Sequence, residues 1–368
     1  MKKTKLLFLS ALLFLCISCN FKESTCVNRT KYDISAVFDS TNLVLNCQMK
    51  VKWCNNSSVP VQEIPFRFLQ DSTNATLKEV LINNMPVEVN YASGEKEGFD
   101  GFTLKLNKPL ANNKNIDINI SFATIENSYY PKSDMILFDD FFPVMAYFEN
   151  GKFIPQYQVH ADYSVDIAFP EDFKIATTGM VTTETNKNGM TVVRTSAKEV
   201  PFYGMALFKN VNIAETTVND ILIRSYYYDG DEKWGKKFLE YAEDIVQFYI
   251  DTLGFYPQPV LSLIPGYIKA RGGWPVCPNI VGIHRGFVNK YTEEEAIAHT
   301  HWITAHEIGH EYWGFNYVLE PLDYPTWFGI GMGICTDRLY SMSRNLDKDY
   351  KDFLKSYPEG VSKGYNTT

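Results

Sequence analysis

Between residues 30 and 225 the chain alternates apolar and polar residues with a period of two, and near residue 230 the period lengthens to that of a helix. That change of period limits the fold to a β-rich part followed by a part in which helices pack. Leu43, Leu45, Cys47, Met49, Val51 and Trp53 point one way, with Asn46, Gln48, Lys50 and Lys52 opposite. Ile116, Ile118, Ile120 and Phe122 repeat the pattern, as do Tyr163, Val165, Ile167 and Phe169. Such alternation marks half-buried strands. Asn112-Asn113, Asn186-Lys187-Asn188-Gly189 and Asn219-Asp220 supply the turns between them. The expectation is an antiparallel β domain with one solvated face. The high aromatic content, 15%, suits such pleated, half-buried surfaces.

From Glu232 to Leu253 the apolar residues Trp234, Phe238, Tyr241, Ala242, Ile245, Phe248 and Tyr249 fall at helical spacing. Asp231 is placed to cap the start, and Gly254 with Pro257 supplies the stop. Two short apolar runs, Val260 to Ile264 and Asn279 to Ile283, read as strands on either side of Gly272-Gly273. Thr292-x-x-Glu295 is a capping-box pattern and opens a helix that runs to about Trp313, with Gly314 as its end. A further helix is predicted from about Gly331, carrying Asp337, Arg338 and Tyr340. Gly329-x-Gly331-x-Gly333 lacks the strand–loop–helix context of a phosphate site and reads as a close-packing surface. No nucleophile elbow, P-loop or dinucleotide fingerprint is present.

The N-terminus reads as a secretion signal. Lys2, Lys3 and Lys5 precede the apolar run Leu6 to Ile17, which is too short to span a bilayer comfortably. Ser18-Cys19 after that run resembles a bacterial lipoprotein cleavage site, so Cys19 is expected to become the first mature residue and to carry the lipid that anchors the chain in the cell envelope. Losing three of the 35 basic residues leaves 32 against 43 acidic, a mature charge of −11. An acidic body without a basic stripe excludes nucleic acid as a partner. Five cysteines remain after the signal and Cys19 at irregular spacing, which is no disulfide framework. One bridge among Cys26, Cys47 and Cys54 suits an oxidising envelope.

His306-Glu307-Ile308-Gly309-His310 is the segment that carries chemistry. On a helix, residues i and i+4 lie on one face a turn apart, so two imidazoles can reach one metal ion. Glu307, one position along, can meet a metal-bound water instead of the metal. Zinc lowers the pKa of such a water to ~7, and the carboxylate takes its proton during attack on a carbonyl. Four of the six histidines crowd into the twelve residues from His299 to His310. His299 and His301 are expected to pack or solvate and not to ligate.

The run from His306 through Glu311-Tyr312-Trp313-Gly314 resembles the zinc helix of the gluzincin aminopeptidases, the aminopeptidase N and leukotriene hydrolase type. The resemblance extends over about residues 30–368. It takes in the β-rich first part, Gly254-Phe255-Tyr256-Pro257, Gly272-Gly273 at the family's substrate-edge strand, Thr326 to Gly331 at its third-ligand motif, and Asp337-Arg338 at an acidic-Arg pair of some members. It implies an α+β architecture: a saddle-like antiparallel β domain over residues 19–225 after a signal of residues 1–18, then a thermolysin-like α/β metallopeptidase domain over 226–368, C-terminally incomplete against the family. It implies a Zn2+ cofactor held by His306 and His310, Glu307 as general base, a peptide or protein substrate, and Gly272, Gly273 and Trp274 as substrate-binding residues.

Two departures qualify that picture. Where the family has its third-ligand glutamate, counting from Trp327 gives Ile330 and counting from His310 gives Gly329; neither binds a metal. The local carboxylates that remain are Asp337 and Glu320, then Asp323 and Glu311. Asp337 lies seven residues past Ile330, roughly 10 Å along a helix, and needs a shifted helix to reach the ion. Pro275 stands where the family's amine-anchoring glutamate would, which argues against an ordinary aminopeptidase. The expectation is a zinc metallopeptidase-like lipoprotein; the alternative is an inactive pseudopeptidase that binds peptides or a protein partner.

Overall fold

The computed structural model describes residues 26, 29–68, 75–92, 100–125, 135–139, 141–154, 159–266, 272–284, 292–315 and 327–346, with the backbone alone for 327–330. Cys19, Glu320 and Asp323, together with the signal segment, lie outside the described residues.

The period-two segments fold as strands. Lys31–Asp39 buries every second side chain, and so does most of Val44–Asn55 and Lys114–Ile125. They belong to an eight-stranded sheet ordered Met180–Lys187, Met190–Val200, Ala161–Pro170, Lys31–Asp39, Val44–Asn55, Lys114–Ile125, Ala75–Ile82, Met85–Pro86. The hairpin turns are built from the residue types that tolerate positive φ. Asn188 and Gly189 stand at φ 55° and 75°, and Asn219 and Asp220 at 44° and 70°, the left-handed pair of a two-residue turn. One pairing departs from the antiparallel expectation: Lys31–Asp39 runs parallel to Ala161–Pro170 at the centre of the sheet. A second, four-stranded sheet holds Val144–Met145, Val61–Arg67, Gly101–Leu110 and Glu88–Ala92. One apolar core joins the inner faces of the two sheets, with Tyr32 stacked on Tyr163 at 5.0 Å and Phe66 on Phe102 at 5.3 Å. Cys26 pairs with Cys54 in a disulfide, and Cys47 stays a buried free thiol.

Among the described residues the second part is a five-stranded sheet ordered Val211–Val218, Ile221–Tyr228, Val260–Pro265, Ile280–Ile283, Gly273–Cys277, with three helices. Its two central pairings are parallel and its two outer ones antiparallel. The expected domain boundary at 225/226 cuts through Ile221–Tyr228; the sheet that carries the helices begins at Val211.

Helix α1, Glu232–Leu253, buries Trp234, Phe238, Ala242, Ile245, Val246 and Tyr249. Gly254 ends it at φ 89°, as expected. Asp231 occupies the cap position without a side-chain capping bond, contrary to its expected role. Helix α2, Glu293–Trp313, opens with the full capping box of Thr292 and Glu295. Helix α3, Trp327–Ser343, starts four residues before the expected Gly331. Among the described residues no helix is long and apolar enough to cross a membrane. A third apolar cluster, with Leu137, Ala206 and Phe208 on one side and Tyr226, Ile264 and Cys277 on the other, joins the two parts.

Candidate metal centre

Helix α2 is buried nearly all round, and that burial fixes its rotation about its own axis. Tyr249 of α1 donates its hydroxyl to the Ala305 carbonyl at 2.7 Å, and Tyr312 donates to the Phe255 carbonyl at 2.7 Å. The buried hydroxyls of Thr300 and Thr304 bond back to the carbonyls of Ile297 and Thr300, so the apolar packing is not spoiled by free polar groups.

On the face so fixed, His306 and His310 turn their Nε2 atoms toward each other at 3.3 Å, with ring planes at 87°. Two nitrogens each about 2.0–2.1 Å from one tetrahedral ion would be about 3.3–3.4 Å apart. The separation therefore fits a shared zinc ion. Asp337 of α3 lies 2.7 Å from the opposite nitrogen of His306, Nδ1. A carboxylate there fixes the ring's tautomer and orientation and frees the Nε2 lone pair. This corrects the expectation for Asp337: it meets the nitrogen that faces away from His310 and acts as an orienting partner, not as the third ligand. Among the described residues no group of three or more His, Cys, Asp or Glu side chains is gathered to hold a metal ion. Glu311, another candidate, is turned elsewhere: both carboxylate oxygens accept from the Asn279 N–H, at 3.0 and 3.1 Å.

Gly333 of α3 lies beside both rings. A Cβ on it would lie 3.6 Å from His306 Cε1 and 3.8 Å from His310 Cε1. Those are ordinary contact distances, so the approach does not require glycine there, and Gly331 is exposed with nothing near it; the close-packing role expected of the glycine run is not seen at either position.

Glu307 is buried under the edge strand Gly273–Cys277. A Cβ on Gly273 would fall 2.5 Å from Glu307 Cγ and 2.6 Å from the Gly282 carbonyl, so only glycine lets strand and carboxylate meet. Glu307 Oε2 is buried with no hydrogen-bond partner. Desolvation pushes its pKa up to about 7, with the Asp337 charge adding to the rise and His306 opposing it. Burial pushes His310 down to about 3, so it is a neutral lone-pair donor. Burial also works against protonation of His306, but the Asp337 hydrogen bond and the Glu307 and Asp337 charges outweigh it and raise its pKa.

Of the expected substrate residues, Gly273 comes to Glu307. Gly272, at φ 85°, accepts the His284 N–H, and the Trp274 ring lies across Gly282 and stacks on His284 at 4.7 Å. His301 packs, as expected: it stacks on Tyr241 at 3.8 Å and meets the Tyr340 hydroxyl at 2.6 Å.

No protein-family model matches the chain, and no curated protein matches it. Solved structures do. An M1 zinc metallopeptidase from Deinococcus radiodurans superposes with a TM-score of 0.63 at 14% identity, covering 88% of this chain and 73% of that one. A point variant of the Deinococcus radiodurans enzyme bound to a Tyr-Ser-Ala substrate gives 0.62 at 13% identity, covering 91% and 77%. A two-domain M1 zinc metallopeptidase variant bound to L-arginine gives 0.62 at 13%, covering 90% and 76%. The chain therefore has the fold of the M1 zinc metallopeptidases.

Proposed function

We propose that this chain is a zinc-dependent peptide hydrolase on a divergent M1 plan, with a thermolysin-like second part. The observation that carries it is the pair of Nε2 atoms 3.3 Å apart beside a buried, unpartnered Glu307 oxygen. His306 and His310 are the residues that would hold the ion, and a third ligand is sought outside the described residues, with Glu320 the candidate. When bound, zinc polarises a carbonyl and makes water acidic near ~pH 7.

The chain's own groups supply the rest. Asp337 holds the His306 Nδ1 proton and keeps Nε2 aimed at its partner. Glu307 accepts the proton of the attacking water at its carboxylate and passes it to the departing nitrogen. Burial raises the affinity of this carboxylate for a proton, which favours the accepting step. Among the described residues Gly273–Cys277 is the last strand of its sheet, the place where an extended peptide would add by main-chain pairing. That strand contains no carboxylate, so a free amino terminus finds no counter-charge there. The substrates proposed are peptide bonds with an acylated or chain-extended N-terminal side. Lipid anchoring through Cys19 in the cell envelope is part of the same proposal.

The test is turnover of N-acylated peptides against amino-acid anilides. N-acylated substrates are expected to be cleaved, and Glu307→Gln is expected to lower kcat about 10²–10⁴-fold while zinc stays bound. Full activity in Glu307→Gln, or efficient anilide turnover that depends on Glu307, contradicts the reading. A peptide-binding protein without turnover is the second reading, favoured by the two-histidine count among the described residues.

A further inference from the structure

Asn279 is wholly buried, sits at φ 77° and has every polar group engaged. Its N–H donates to the Glu311 carboxylate, and its carbonyl accepts from Ser262 N–H at 2.7 Å. Its side-chain NH2 donates to the Val260 carbonyl at 2.9 Å, and its side-chain oxygen accepts from Gly179 N–H at 2.7 Å. The neighbouring Pro278 carbonyl accepts the Thr178 hydroxyl at 2.9 Å. Thr178 and Gly179 belong to the N-terminal β part, whereas Glu311 follows His310 directly on α2.

One asparagine therefore links three bodies: the β part, the central strand Val260–Pro265 and the last turn of the histidine helix. The geometry is demanding. Gly179 stands at φ 79°, and a Cβ there would lie 2.3 Å from the Ser196 carbonyl, so the N–H that reaches Asn279 depends on a glycine. Asparagine is among the few residues other than glycine that adopt a positive φ readily. Here it also supplies a donor and an acceptor that glycine lacks.

We propose that Asn279 is a positioning residue for the candidate metal centre, holding the His310 turn of α2 in register with the N-terminal β part through Glu311. The proposal rests on the zinc reading of the histidine pair. It makes the interface between the two parts a determinant of how the two imidazoles converge, with no contact between Asn279 and the ion.

The test uses the full chain and two readouts: zinc affinity by chelator competition, and amide hydrogen exchange over residues 306–314. Asn279→Gly keeps the left-handed backbone and both main-chain bonds and deletes the two side-chain arms. Glu311→Ala removes the acceptor on α2; Glu311→Gln keeps one. Asn279→Gly and Glu311→Ala are expected to speed exchange selectively over 306–314 and to weaken zinc about tenfold or more, by analogy with lost orienting partners. Glu311→Gln is expected to restore both. Unchanged exchange, unchanged zinc affinity, or a Glu311→Gln variant as impaired as Glu311→Ala overturns the proposal. If Glu311→Ala does not fold, Thr178→Val severs the Pro278 link and is read in its place. A wild-type chain that binds no zinc while exchange still responds to Asn279→Gly refutes the metal reading and leaves the tether standing.

Discussion

Asp337 and Gly333 lie one turn apart on α3 and serve the same two imidazoles in different ways. Gly333 places the helix backbone beside both rings, and Asp337 grips the outer nitrogen of one of them. A buried carboxylate at that position is costly unless it is hydrogen-bonded. Desolvation raises the Asp337 pKa, and the His306 hydrogen bond pulls it part of the way back. Asp337→Asn keeps the size and loses the charge. It is expected to weaken zinc about 10–100-fold, measured by chelator competition; unchanged affinity would refute its orienting role. The histidine pair and Glu307 were legible because the chemistry sits at a fixed local spacing. The role of Asp337 was not, because it depends on how α3 lies against α2. Asn279 was invisible for the same reason: before folding, it is only the first residue of a short run read as a strand.

At the scale of elements, α1, α2 and α3 are fastened by one polar clasp. Tyr340 of α3 donates to Asp244 of α1 at 2.7 Å and meets His301 of α2, while Arg344 holds both Asp244 oxygens at 2.6 and 2.7 Å. Burial lowers the His301 pKa to about 4. The unfolded chain, with an ordinary histidine pKa near 6.5, then binds more protons than the folded one between about pH 6.5 and 4. Stability is thus full above that window and falls as pH drops through it. His301→Gln is expected to flatten this part of the pH–stability curve in urea titrations. A slope unchanged from wild type assigns it to other groups, with His284, also lowered to about 4 by burial, the next to replace. The bounds of α1 and the cap of α2 were legible because their stop and start signals are local. The start of α3 was not. Each glycine costs about 1 kcal/mol in a helix, so the glycine run gave no local sign that the helix begins ahead of it, at Trp327. The parallel pairing of Lys31–Asp39 with Ala161–Pro170 joins strands more than a hundred residues apart, which no local pattern encodes.

Among the described residues the molecule is two sheet-based parts joined by an apolar seam, with the histidine helix buried in the core of the second. Tyr226 crosses that seam, stacking on Phe208 at 5.2 Å and donating to the Ile175 carbonyl at 2.8 Å. The Cys26–Cys54 disulfide ties the start of the described residues to Val44–Asn55. If Cys19 carries lipid, Cys19→Ala moves the chain from the membrane to the soluble fraction on cell fractionation; an unchanged membrane fraction refutes the anchor. The central claim is that two imidazoles one turn apart share a cation, and elemental analysis of the purified full-length chain tests it most directly. Close to one zinc per wild-type chain and next to none in a folded His310→Ala variant is the predicted result. Far less than one zinc in the wild type, or a content that His310→Ala leaves unchanged, contradicts the account.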